Sequence, residues 1–148
     1  MSGVIERLAR LGPASVEELT RLRAAALSAT DPARLELSRH LLAARLGARD
    51  ALAEPRATAG EPAAARAAAV EEWTTSALFD AEDRAFLAFT EQFSTSVAHV
   101  SDDEVRALLE YASEQEVFDF VVALYVIEME MRVSIVARAM LTPREVSE

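Results

Sequence analysis

Between residues 114 and 141 the chain sets apolar side chains at nearly every angle around a helical axis. They run from Val117, Phe118 and Phe120 through Leu124, Tyr125, Ile127, Met129 and Met131 to Val133, Ile135 and Val136. A helix that is apolar all round is either enclosed by its own chain or shared with another subunit. With 148 residues available to wrap it, one face against a partner is the favoured reading, and it predicts a homo-oligomer. The longest uncharged apolar run in this segment, Phe120 to Ile127, falls well short of the roughly 20 residues that span a bilayer. No membrane partner is expected.

Helix signals recur along the rest of the chain. Ser15/Glu18, Ser101/Glu104 and Ser113/Glu116 have the S-x-x-E form in which a hydroxyl takes the N3 amide and a carboxylate reaches back. Asp31 before Pro32 marks another start, because proline at N1 lacks an amide that would be orphaned anyway. Gly47 is placed to end that helix in a left-handed conformation, and Asp80 with Asp83 opens a further one. These signals predict an all-α fold of six or seven helices, at 3–10, 16–29, 32–46, 62–74, 81–95, 102–112 and 114–141. The stretch 54–62 (Glu-Pro-Arg-Ala-Thr-Ala-Gly-Glu-Pro) reads as a surface loop within a single domain, 1–148.

The charge is unevenly distributed. Residues 1–70 carry 10 Arg against 8 acids, net +2, and residues 71–148 carry 5 Arg against 17 acids, net −12, which sums to the overall −10. Nucleic acid is not an expected partner, since phosphate binding draws on clustered cations. The two halves can attract each other within or between subunits, or the acidic faces can simply be solvated. The early charges Glu6 and Arg7 leave no room for a secretory h-region, so a cytoplasmic location is expected. The absence of cysteine excludes thiol chemistry, Fe–S clusters and Cys-bound zinc.

Trp73-x5-Phe79-Asp80-Ala81-Glu82-Asp83-Arg84-Ala85-Phe86-Leu87, then Glu91, then His99-Val100-Ser101-Asp102-Asp103-Glu104-Val105, resembles the second half of the alkylhydroperoxidase D-like or carboxymuconolactone decarboxylase family. The resemblance continues through Ser113-Glu114-Gln115-Glu116-Val117 to Arg132. Upstream, Leu35-Glu36-Leu37-Ser38-Arg39 through Leu46-Gly47 resembles the segment leading into that family's redox motif. It implies an alkylhydroperoxidase D-like helical bundle assembled as a dimer, trimer or hexamer. In redox-active members a C-x-x-C pair follows the glycine at once, with a His a few residues later and a Glu twelve positions before the first Cys. Here Glu36 holds the Glu position, while Ala48 and Ala51 stand where the cysteines would be. In the long helix Glu128 and Met131 also depart from the family pattern, and Arg132 matches it.

Two constellations remain as candidate sites. Glu36 and His40 lie four apart on one predicted helix and therefore share a face, with Ala43, Ala44 and Gly47 continuing it toward the space the thiols would occupy. A carboxylate beside an imidazole can pass a proton, which suits decarboxylation, isomerisation or dehydration of a small anionic organic acid. It can equally be a surface pair with no chemistry. Arg132, with Glu128 one turn before it, is a candidate anchor for a substrate carboxylate or else an intrahelical ion pair. His99 reads as structural. No cofactor or metal site is expected. The readings are thus a redox-inactive, cofactor-independent acid–base enzyme of decarboxylase, lyase or isomerase type, or a pseudoenzyme that keeps the fold as an oligomeric binding or structural protein. If Glu36 and His40 are the proton-transfer pair of an enzyme, Glu36→Gln is expected to lower activity by about 10²–10⁴-fold and to leave stability nearly unchanged.

Reduction of a peroxide through this motif needs a thiolate to attack the O–O bond and a second thiol to resolve the sulfenic acid. Neither hydrogen peroxide nor cumene hydroperoxide should therefore be consumed above background by metal-free protein with any thiol donor. Measurable turnover in a coupled assay would contradict this.

Overall fold

The computed structural model describes residues 2–52 and 61–141, and among these there are seven α-helices and no strand. They are α1 (Ser2–Leu11), α2 (Pro13–Ala29), α3 (Pro32–Arg45), α4 (Glu61–Ala68), α5 (Ala81–Ser96), α6 (Asp102–Leu109) and α7 (Glu114–Leu141). Short 3-10 turns follow α3, α4 and α5, at Arg49–Leu52, Val70–Glu72 and Val97–His99. The expected loop at 54–62 lies, except for its last two residues at the start of α4, outside the described residues.

Most of the end signals act as the sequence implies. Asp31 accepts the Arg34 amide at 2.8 Å with Pro32 at N1. The Asp80/Asp83 and Ser101/Glu104 pairs each close reciprocal capping boxes. At Ser113/Glu116 the Glu116 carboxylate accepts from the Ser113 hydroxyl and amide, and these bonds hold it below the usual carboxylate range. Gly47 has φ +64°. Its amide bonds to the Ala44 carbonyl at 3.3 Å and the Ala48 amide to the Ala43 carbonyl at 2.8 Å, the paired closure of a Schellman end. Ser15/Glu18 is the exception. Helix α2 begins earlier, at Pro13 after an N-cap Gly12 that makes no side-chain cap, so Ser15 sits inside the helix. Proline at N1 sets the start, and from inside the first turn the Ser15 hydroxyl no longer holds the N-cap position from which it would take the N3 amide.

Helix α3 lies between two apolar clusters. On one side Leu35, Leu42 and Ala43 pack with Phe86, Phe89, Leu108, Phe120, Leu124 and Ile127, where the Phe86 and Phe120 rings meet edge to face at 4.9 Å. On the other, Leu37 and Leu41 pack with Val70, Phe79 and Leu87. Buried between them, Thr90 bonds to both the Ser38 hydroxyl (3.0 Å) and the Phe86 carbonyl (2.7 Å). Helix α7 is the longest element, at 28 residues, but it is not enclosed on all sides. Its inward face carries Phe120, Ala123, Leu124, Ile127 and Met131 into the core, while Phe118, Tyr125, Val136 and Met140 are exposed.

The charge split is bridged inside the chain. Arg23 pairs with Glu130 at 3.0 Å and Arg34 with Glu82 at 2.5 Å, and Arg45 meets Glu91, Arg49 meets Glu71 and Arg66 meets Asp83. Each joins an arginine from residues 1–70 to a carboxylate from residues 71–148.

A single side chain organises the turn between the Val70–Glu72 segment and α5. Arg84 donates from Nε to the Phe79 carbonyl (3.2 Å), from Nη1 to those of Trp73 (2.7 Å) and Thr74 (2.6 Å), and from Nη2 to that of Ser76 (2.7 Å). Charge-assisted hydrogen bonds contribute more than neutral ones, and the planar fork reaches carbonyls that an ammonium cannot reach together. Arg84→Ala should therefore lower the unfolding free energy by about 2–4 kcal/mol, and Arg84→Lys should recover less than half of that, as read from urea midpoints. A lysine variant as stable as the parent would show that charge alone suffices.

Candidate functional site

The burial of α3 on two sides leaves one narrow strip of the helix near solvent, and Glu36 and His40 occupy it, 24% and 23% exposed at the side chain. His40 Nε2 stands 3.3 Å from Glu36 Oε1. Arg39 was not singled out from the sequence, yet it closes on the same carboxylate from the buried side. Its Nη2 lies 2.5 Å from Oε1 and its Nε 2.9 Å from Oε2, with the side chain only 8% exposed. Three consecutive features of a helix thus form one constellation, a carboxylate gripped by a guanidinium fork and touched by an imidazole. Burial pushes the Glu36 carboxyl up, but the hydrogen bonds from His40 and Arg39, together with their charge, outweigh it and hold the carboxyl at about 2.

That value decides what Glu36 can do. A general base works best with a pKa near the working pH, and a carboxyl near 2 stays anionic and accepts protons poorly. Its effect falls on its neighbour. An anionic oxygen facing Nε2 is an acceptor, so it favours the tautomer of a neutral imidazole that carries its proton on Nε2 and leaves Nδ1 free.

Glu128 and Arg132 form the intrahelical pair that their spacing allows, Arg132 Nη2 to Glu128 Oε1 at 2.7 Å, with Arg132 57% exposed. Arg132 sits at the edge of the outward face of α7 with the Glu128 side chain largely covered beside it at 13% exposure, and α3 packs against the inward face of α7 through Leu35 and Leu42. The structure therefore brings Glu36 and His40 together on α3 and Glu128 and Arg132 together on α7. His99 is exposed and its Nδ1 lies 2.7 Å from the Ser96 hydroxyl, a contact within one turn.

Two further arrangements escaped the sequence reading. Glu91 bridges α3 and the segment after α4, taking Arg45 on one oxygen and the Trp73 indole N–H on the other at 3.0 Å. A cleft of about 160 Å³ opens where the first turns of α3 and α5 meet Arg66, lined by Arg34, Phe86 and Asp83 among others. The Arg34 guanidinium lies 4.0 Å over the Phe86 ring. The Nε atoms of Arg34 and Arg66 are buried without a hydrogen-bond partner among the described residues. No sequence spacing signals either arrangement, because each joins residues far apart in the chain.

Among the described residues no three His, Asp or Glu side chains converge as metal ligands, and no helix is long and apolar enough to cross a membrane. No protein-family model matches the chain, and no curated protein matches it.

The grip of Arg39 on Glu36 changes the expectation for Glu36→Gln. The amide removes the charge that a nearly buried guanidinium holds, so the variant should lose on the order of 1–3 kcal/mol at neutral pH. A carboxyl whose folded value lies below its ordinary value of about 4.5 stabilises the fold above that ordinary value, and the contribution is lost as pH falls through the window from about 4.5 to about 2. Urea midpoints of parent and variant should therefore differ at pH 7 and converge as pH falls through that window. A difference that is absent at pH 7 would show that the pair is energetically idle.

Proposed function

We propose that the chain is a cysteine-free, redox-inactive protein of the alkylhydroperoxidase D-like or carboxymuconolactone decarboxylase kind, and that it performs cofactor-independent acid–base chemistry on a small organic acid. The observation that carries this reading is the imidazole of His40 held at 3.3 Å by a carboxylate that is itself locked by Arg39. In this arrangement His40 Nδ1 takes a proton from a carbon or oxygen acid. The anionic Glu36 steadies the imidazolium that results, and Arg39 fixes the carboxylate so that the imidazole does not reorient between steps. Glu36 is then a positioning residue and His40 the proton carrier. Arg132 serves as substrate anchor only if a second copy brings it to the site, since within one chain it belongs to the other pair. We extend the same reading to a homo-oligomeric, cytoplasmic protein.

The Glu36–Arg39 pair also favours a second reading. A carboxylate bound in two places can be the means by which α3 buries an arginine, with the fold serving as an oligomeric binding or structural protein. Carbon-acid exchange separates the two. The protein is incubated in D2O with a panel of 2-oxo acids and lactone acids, and loss of the C–H signal is followed by NMR. The enzyme reading expects exchange with at least one compound and a fall of about 10²–10⁴-fold in His40→Gln. Equal rates in parent and variant, or no exchange across the panel, would favour the second reading.

A further inference from the structure

The outward face of α7 is apolar along its length. Phe118, Tyr125, Met129, Val133, Val136 and Met140 are each between 37% and 65% exposed, and Val122 lies half-buried in the same row. A surface helix ordinarily turns its charged face to water, and here the face turned to water is a hydrocarbon stripe. Together these side chains offer on the order of 600 Å² of apolar surface, at the top of the range for a patch on a monomer.

The stripe has an order that identifies its occupant. The positions 118, 122, 125, 129, 133, 136 and 140 are spaced 4, 3, 4, 4, 3 and 4, and that series reads the same in both directions about Met129. Two copies of α7 laid antiparallel across a two-fold axis at Met129 would set Phe118 against Met140, Val122 against Val136 and Tyr125 against Val133, with Met129 on its own mate. Phenylalanine edges and methionine sulfur attract one another, so the ends of the stripe are matched as well as its centre.

Charge chooses the same direction. Glu128 and Arg132 flank the stripe's midpoint on one side and carry opposite signs. In the antiparallel arrangement that flank meets its own copy reversed, and Arg132 comes within about two residues, roughly 3 Å along the axis, of the level of Glu128 in the other chain. The exposed guanidinium then bridges both carboxylates. In a parallel pair the two-fold axis would carry this flank to the opposite side of the seam, and Glu128 and Arg132 would meet no copy of themselves.

From these observations we infer that α7 is an isologous interface, the occupant of its outward face being a second copy of this chain in antiparallel register about Met129. An isologous contact of this kind closes and limits the assembly at that face to two chains. The area lies close to the roughly 800 Å² per partner of a standard interface once flanking residues are added. The inference deepens the homo-oligomer part of the proposed function and does not depend on any chemistry at His40.

The absence of cysteine makes the test clean. Single cysteines are introduced at Met129, at Phe118 and at Met140, and the full chain is treated with mild oxidant or a short bis-maleimide. Met129→Cys should cross-link to itself in high yield, Phe118→Cys and Met140→Cys should each fail to do so, and the last two should cross-link when mixed. Light scattering on the parent should give an even-numbered assembly of the 16.1 kDa chain, and Phe118→Glu with Val136→Glu should weaken association at least 100-fold with the helical circular dichroism intact. Arg132→Glu should weaken it, and adding Glu128→Arg should restore it. A monomeric parent at micromolar concentration would overturn both this inference and the oligomer reading. Self-cross-linking of Phe118→Cys as efficient as that of Met129→Cys, or an oligomer indifferent to the two glutamates, would overturn this inference alone and leave an oligomer built through another face.

Discussion

Helix α3 has to be buried on two sides at once, and the arrangement around it answers that demand. Leu35 and Leu42 look toward α7 and Leu37 and Leu41 toward Phe79 and Leu87, which leaves only a narrow strip near solvent. The polar residues it carries are therefore satisfied inside the protein. Ser38 meets Thr90, and Arg39 meets Glu36. A buried guanidinium without an anion is costly. The carboxylate that removes this cost also fixes the neighbouring imidazole, so the candidate site is a by-product of how α3 packs as much as a device added to it.

Long-range ion pairs take up the same theme at larger scale. The sequence leaves open whether the weakly basic first half and the acidic second half neutralise one another within or between subunits. Arg23, Arg34, Arg45, Arg49 and Arg66 show that much of it happens within the chain. The more exposed of these pairs contribute little individually. Their collective effect is on register, since each ties a helix of the first half to a named position of the second.

The elements were legible because their ends are written locally. Asp31-Pro32, Asp80 with Asp83, Ser101 with Glu104 and Gly47 all act over three or four residues, and each appears in the structure where the sequence places it. Ser15 misled because a proline at N1 two residues earlier outranks it. The apolar circuit of α7 was legible as composition but not as burial, because periodicity cannot say which side the chain will cover. In the candidate site, the proximity of Glu36 and His40 followed from helical spacing. The role of Arg39 did not, because at a spacing of three it is one neighbour among several until burial decides which cation faces the carboxylate. Glu91 and the cleft near Arg66 depend on contacts between distant segments, and nothing local announces them.

The turn held by Arg84 uses only backbone carbonyls of Trp73, Thr74, Ser76 and Phe79 as acceptors. A carbonyl is the same whichever residue bears it, so the conformation of this segment is specified by a letter outside it. Thr74, Ala77 and Leu78, all exposed, are accordingly free to drift or to be rewritten, and a reporter group or a foreign recognition sequence could be carried there while one arginine on α5 keeps its shape.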